Sequence, residues 1–295
     1  MKAQQTYRYR VVDVFTTAPL EGNPLAVFPD GTGFSAELMQ KIARELNLSE
    51  TVFVVPSGHP DCAARLRIFT PGREMDFAGH PTVGTAYVLL NEGIVPQGTE
   101  RFAVEENVGP IPIRVEPGPA PKIWLTTPPI REEGTVARET AAALFGLEPS
   151  QLLDLPAQIL SAGNPTLFIP VADRATVDRI SFDTSAWSRL KSEHPGPLCV
   201  FAFAATPEGA YSRMFAPDYG VREDPATGSS TGPLALYMMR HGLASSKDGT
   251  SFFSEQGTKM GRRSILHVLI HGEEGRDGID VGGHVTPIIE GQLTL

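Results

Sequence analysis

The chain has 295 residues, among them 29 Gly, 26 Pro and only 2 Cys, with 41% hydrophobic and 20% charged residues. That length accommodates two domains. Two cysteines outside any CxxC exclude a disulfide-rich secreted scaffold and favour a reducing cytoplasm. A formal charge of −9 disfavours nucleic acid and anionic membrane as partners, and no apolar run long enough for a leader or a membrane span is found, so a soluble cytoplasmic protein is expected.

In chain order, the first distinctive segment is Gly22-Asn23-Pro24, a turn leading into an apolar strand through Phe28. Ser35 then caps a helix with an apolar stripe of Leu38, Met39, Ile42, Ala43 and Leu46. A strand follows over Thr51 to Val55, then Arg67-Ile68-Phe69-Thr70-Pro71. Next, Gly79-His80-Pro81-Thr82-Val83-Gly84-Thr85 opens a helix apolar on nearly every side, which has to be surrounded by protein. Short strands with period-2 character follow at Arg101 to Glu105, Ile111 to Val115 and Lys122 to Leu125.

The same parts then recur in the same order. Gly163-Asn164-Pro165 repeats the first turn 141 residues later, and Asp183 begins a helical segment through Trp187 and Leu190. Leu198 to Ala205 reads as a strand, Arg213-Met214-Phe215-Ala216-Pro217 repeats the second motif, and Gly228-Ser229-Ser230-Thr231-Gly232-Pro233 opens a second apolar helix. Arg240 and His241 suit the last turn of that helix and Gly242 its C′ position, and Ile265 to Ile270 is another strand. Four correspondences in one order predict a unit used twice, residues 1–128 and 129–295, each a sheet curled around one central helix. The last strand can reach back onto the first half.

If the halves pack about a pseudo-twofold axis, the two Gly-rich helix starts share a cleft. Their free N–H groups and positive helix ends make a site for a carboxylate without Lys or Arg. His80, Asp224, Thr227, Ser229 and Ser230 stand around it. Competing motifs are weaker. Gly79 to Thr85 lacks the Lys of a phosphate-binding loop, and His267 and His271 fall in a strand with no pattern that completes a metal site, so no metal is expected. Gly228 to Gly232 fits the GxSxG of a serine hydrolase with Ser229 or Ser230 as nucleophile. The acidic, Pro-containing run before it is a poor elbow strand.

Asn47-Leu48-Ser49-Glu50-Thr51, Phe77-Ala78-Gly79-His80-Pro81-Thr82 and Glu223-Asp224-Pro225-Ala226-Thr227-Gly228-Ser229 resemble the signature segments of the PhzF family of phenazine biosynthesis-like proteins, and the likeness extends from Gly22-Asn23-Pro24 to Gln256-Gly257 and Met260-Gly261-Arg262. The resemblance implies an α+β, diaminopimelate epimerase-like fold: two pseudo-symmetric domains, each a curved, mainly antiparallel sheet around a central helix, usually in a homodimer. It implies a cofactor-independent isomerase with Glu50 as general acid/base, His80, Asp224 and Ser229 lining the cleft, and a small-molecule carboxylate held around Gly79 and Gly228. Trans-2,3-dihydro-3-hydroxyanthranilate is the model substrate. Asn23 and Ser230, with Asp13, Arg213 and Gln256, are further candidates for substrate contact. The epimerase relatives use paired cysteines at the two helix starts, where this chain has His80 and Ser229, so a one-carboxylate proton shift is favoured over two-base inversion. Amino-acid epimerisation, a serine hydrolase and a non-catalytic small-acid binding protein remain alternatives.

Overall fold

The computed structural model describes residues 5–295. Its first half runs β1 (Thr6–Val14), β2 (Asn23–Phe28), α1 (Ala36–Leu46), β3 (Glu50–Val55), β4 (Arg65–Phe69), α2 (Gly79–Asn91), β5 (Arg101–Glu106), β6 (Gly109–Glu116) and β7 (Lys122–Thr126). The chain continues through β8 (Arg131–Val136), α3 (Arg138–Ala143), β9 (Ala157–Ser161), β10 (Pro165–Pro170), α4 (Arg174–Arg179), α5 (Thr184–Glu193), β11 (Cys199–Thr206), β12 (Gly209–Ala216) and β13 (Val221–Asp224). It closes with α6 (Gly228–Arg240), β14 (Ser251–Gln256), β15 (Ser264–His271), β16 (Gly278–Gly283) and β17 (Val285–Thr294). The six-residue helices α3 and α4 are not foreseen from the sequence, being too short to establish a 3.6-residue period.

Hydrogen bonding joins the strands into one ribbon in the order β17-β1-β2-β3-β4-β5-β6-β7-β16-β15-β14-β12-β11-β10-β9-β8, with β13 branching from β12. Four pairings are parallel: β2 with β3, β4 with β5, β10 with β11 and β12 with β14. Each has a helical crossover, α1, α2, α4 and α5, or α6, because a parallel pair cannot be closed by a tight turn. The ribbon therefore reads alike from the β7–β16 junction toward either end. β17 belongs to the first half of the ribbon through β1 although it is last in sequence.

The two R-x-F-x-P segments show how far the likeness goes. Arg67 makes a two-pronged pair with Glu74 (2.9 and 2.7 Å) and lies over the Phe69 ring, while Arg213 does the same with Glu223 (2.8 and 2.9 Å) and Phe215. Helices α2 and α6 touch each other and sit inside the curved sheet, so one core runs from Val12 and Leu25 through Val83 and Leu89 to Leu234 and Met238. On the outer faces, α1 covers Phe28, Phe53 and Phe69, and α3 to α5 cover Leu167, Val200 and Phe215. Among the described residues no helix is long and apolar enough to cross a membrane.

Candidate active site

The cleft forms where the two central helices begin. Neither Ala78 before α2 nor Thr227 before α6 caps its helix with a side chain. Among the described residues no backbone or side-chain acceptor meets the N–H groups of Gly79, His80, Gly228 or Ser229. Both helix ends therefore present unpaired donors and a partial positive charge. They also touch: a Cβ on Gly79 would lie 2.4 Å from the Gly228 carbonyl carbon, and one on Gly228 would lie 2.9 Å from the Gly79 Cα. Only glycine allows this approach.

Glu50 enters the cleft because α1 stops abruptly. Asn47 adopts the left-handed conformation (φ 51, ψ 33), and its N–H closes on the Ala43 carbonyl; three residues later β3 begins with Glu50 paired beside Leu25 of β2. His80 is the second residue of α2, Ser229 the second of α6, and Asp224 ends β13. The cleft, about 410 Å³ including its mouth, is lined by Glu50, Gly79, His80, Asp224, Gly228 and Ser229. Larger depressions exist elsewhere, one beside Arg10 and Tyr87 of about 870 Å³, but they gather no buried titratable cluster.

Asn23, fully buried, organises the group. Its amide nitrogen donates to Asp224 Oδ1 (2.8 Å) and to the Ala226 carbonyl (2.9 Å), and lies 3.2 Å from His80 Nδ1. A donor facing Nδ1 leaves that nitrogen unprotonated. Burial pushes the His80 pKa down to about 3, so the ring is neutral and its single proton sits on Nε2. Nε2 is 3.2 Å from Glu50 Oε2, yet the two are not aligned for a hydrogen bond, and both atoms are buried without a partner. Burial first, then the nearby Asp224 charge, raises the Glu50 pKa well above the usual carboxylate range. Burial also raises Asp224, against the lowering effect of the Thr227 hydroxyl (2.5 Å) and Asn23. Two carboxyls and a neutral imidazole share the space, which is no place for an ion pair.

The other candidates lie differently. Ser230 is turned away, its hydroxyl 2.9 Å from Thr166 Oγ1, and among the described residues no histidine contacts the hydroxyl of Ser229 or Ser230. The segment before α6 contains a short polar strand, β13; three residues separate it from the helix, so it makes no strand-to-helix elbow. Asp13 is bound to Arg262 (2.5 Å) and to the Leu20 N–H (2.7 Å), Arg213 to Glu223, and Gln256 to the residues before α6, all outside the lining. His267 and His271 lie along β15, with His271 Nε2 2.9 Å from Asp280.

Sequence reasoning missed Cys199, Met75 and Tyr219, which also line the cleft. Cys199 stands opposite Thr166 in the β10–β11 pairing as Glu50 stands opposite Leu25 in β2–β3, and each strand partner lies two residues after the Asn of its GNP turn. The thiol is thus the counterpart of the catalytic candidate, with its pKa raised by burial. The 149-residue offset between the helix starts, applied to Glu50, would have found it.

A family model described as phenazine biosynthesis-like protein matches residues 12–291. The chain is 36% identical to trans-2,3-dihydro-3-hydroxyanthranilate isomerase from Pseudomonas aeruginosa over 98% of this chain and 100% of that one. The crystal structure of a PhzF-family phenazine biosynthesis protein from Bacillus anthracis superposes with a TM-score of 0.86 at 26% identity, covering 99% of this chain and 100% of that chain. A hydroxyproline epimerase from Agrobacterium vitis shares the fold, with a TM-score of 0.72 at 14% identity over 100% and 94% of the two chains. With a match over nearly its whole length and an epimerase-like α+β fold, the chain belongs to the PhzC-PhzF family of phenazine biosynthesis-like proteins.

Proposed function

We propose that this protein is a cofactor-independent isomerase that moves a proton between carbons of a small cyclic carboxylic acid, with Glu50 as the group that removes and returns it. The observation that carries this reading is the pair Glu50 Oε2 and His80 Nε2, buried 3.2 Å apart with neither atom hydrogen-bonded. Unpartnered polar atoms are costly inside a protein and are kept where a ligand completes them. The unpaired N–H groups at Gly79, His80, Gly228 and Ser229 would hold the substrate carboxylate.

Glu50 as carboxylate takes a proton from an activated carbon, the electron pair spreads into the conjugated system, and the resulting carboxyl returns the proton at another carbon. No net oxidation occurs and no co-reactant is consumed. A raised pKa makes the carboxylate a stronger base and leaves the acid ready to give the proton back near neutral pH. Neutral His80 would donate from Nε2 to a substrate oxygen, Asp224 would share proton and charge with Glu50, and Ser229 would face the substrate from the other helix. In this reading the halves 1–128 and 129–295 close on the substrate from two sides, within a homodimer.

The name of the Pseudomonas aeruginosa relative supplies the model substrate, trans-2,3-dihydro-3-hydroxyanthranilate. Incubated with it in D2O, the wild type should place deuterium on carbon, and Glu50→Gln should slow that exchange roughly 10²–10⁴-fold. Equal exchange rates in the two proteins would remove Glu50 from the mechanism.

A further inference from the structure

Glu106 is a further buried carboxyl, 2% exposed, that the proposed chemistry does not use. It ends β5 and reaches the start of α2. Its Oε2 accepts the Ala78 N–H at 3.3 Å, and its Oε1 contacts the Thr82 hydroxyl. That hydroxyl is also 2.6 Å from the Ala78 carbonyl. Thr82 has one hydroxyl hydrogen for two oxygens. The carbonyl can only accept, so once Thr82 donates to it, the contact with Glu106 needs a hydrogen on the carboxyl.

The other half of the molecule carries an amide in this place. Gln256 ends β14, the counterpart of β5, and is fully buried. Its Oε1 accepts the Thr227 N–H at 3.2 Å, as Glu106 accepts that of Ala78, and its Nε2 donates to Thr227 Oγ1 (2.9 Å) and the Asp224 carbonyl (2.7 Å). Each central helix is thus held at the residue just before it by the last side chain of the strand that follows it. Where one half has a neutral amide, the other has a group of the same shape that is neutral only when protonated.

We propose that Glu106 is a positioning residue that acts as an uncharged carboxylic acid: through Ala78 and Thr82 it holds the start of α2, which carries Gly79 and His80, and its lack of charge leaves that helix end free to attract an anion. An ionised Glu106 would put a negative charge at the positive end of α2, in competition with a substrate carboxylate. The titratable groups on surrounding elements are His80 on α2, Asp76 on the segment before it, Arg65 on β4 and Glu105 on β5. Among the described residues none of them contacts the Glu106 carboxyl. Burial with no cationic partner pushes its pKa up to about 8, against the lowering effect of the Ala78 N–H and the Thr82 hydroxyl beside it.

The anion-binding part rests on the proposed function; the protonation part does not, and the test separates them. Thermal unfolding of wild type, Glu106→Gln and Glu106→Ala is followed from pH 6 to 9.5. A carboxyl whose pKa rises from 4.5 to about 8 on folding stabilises the native state fully below pH 4.5 and loses that contribution between 4.5 and 8, so wild type should lose Tm relative to Glu106→Gln between pH 6 and 8 and run parallel to it at higher pH. Glu106→Gln should be no less stable than wild type at pH 6, whereas Glu106→Ala should lie about 4–8 °C below Glu106→Gln at every pH. In turnover of the dihydro-hydroxyanthranilate, KM of the wild type should rise about three- to tenfold between pH 7 and 9 with kcat changing in parallel in both proteins, and Glu106→Gln should lack that KM rise. A Glu106→Gln protein that fails to fold, that is less stable than wild type at pH 6, or that keeps the wild-type loss of Tm between pH 6 and 8 overturns the neutral acid. A KM rise present in both proteins overturns the anion-binding role alone.

Discussion

At the scale of single residues, the cleft is defined by what burial does to charge. His80 is 3% exposed and has no carboxylate close enough, in the right alignment, to compensate its cation. It therefore stays neutral in the folded protein down to about pH 3, while in the unfolded chain it takes up a proton near the ordinary histidine value of 6.5. The unfolded state binds more protons over that window, so the residue's contribution to stability is lost as pH falls below 6.5. By pH 5 the loss is about 2 kcal/mol. His80→Asn should abolish it: urea unfolding at pH 7 and pH 5 should show a drop in wild type larger by about that amount than in the variant. Equal drops would mean that the imidazole is charged in the native cleft, and the donor role of Nε2 would fall with it. Glu50 pulls the other way, its raised pKa favouring the protein in acid. Ionisable groups held in their uncharged or mismatched forms cost stability and recur where they serve chemistry.

At the scale of elements, the active-site architecture depends on two helices meeting end to end. Gly79→Ala would drive a methyl to 2.4 Å from the Gly228 carbonyl carbon and 2.5 Å from the Ser229 nitrogen, backbone atoms that cannot yield without moving α6. Overpacking of this kind costs about 1–3 kcal/mol or more. We expect Tm to fall by several degrees and activity by more than the folded fraction explains. Gly118→Ala, whose added Cβ meets nothing nearer than 3.9 Å, should change neither. A Gly79→Ala protein with wild-type Tm and turnover would show that the helix starts are not in contact. Much of this was legible in the sequence. Gly-rich turns followed by wholly apolar helices announced buried helix starts, Ser35 and Asp183 announced caps, and both serve as such. Partners distant in sequence were not legible. Glu106 sits where strand alternation and a neighbouring Glu105 read as a solvated edge, and Cys199 reads as one more apolar strand residue. Their roles come from register across β2–β3, β10–β11 and the strand ends after each central helix, which a single sequence does not display.

At the scale of the whole molecule, the repeat legible in the sequence and the folding unit are different things. The halves exchange contacts that neither holds alone. Asn23 donates to the Ala226 carbonyl, Asn164 donates to the Phe77 carbonyl at 2.6 Å, β7 pairs with β16, and the last strand completes the first half through β1. Arg262, just before β15, reaches Asp13 on β1 at 2.5 Å and the Gly22 carbonyl at 3.1 Å. A shared core links both central helices, so exposing one half strips apolar cover from the other. Calorimetry should therefore record one unfolding transition, with calorimetric and van't Hoff enthalpies in agreement. Arg262→Leu tests the seam directly. It leaves the Asp13 carboxylate, 2% exposed, without its cation, and with Arg262 itself partly open to solvent the loss should be about 2–3 kcal/mol. Because the seam is one part of a continuous structure, the variant should shift the single transition to lower temperature without dividing it. Two resolved transitions in the wild type, or a Tm for Arg262→Leu within a degree of wild type, would mean that the halves are stable units joined by a dispensable contact.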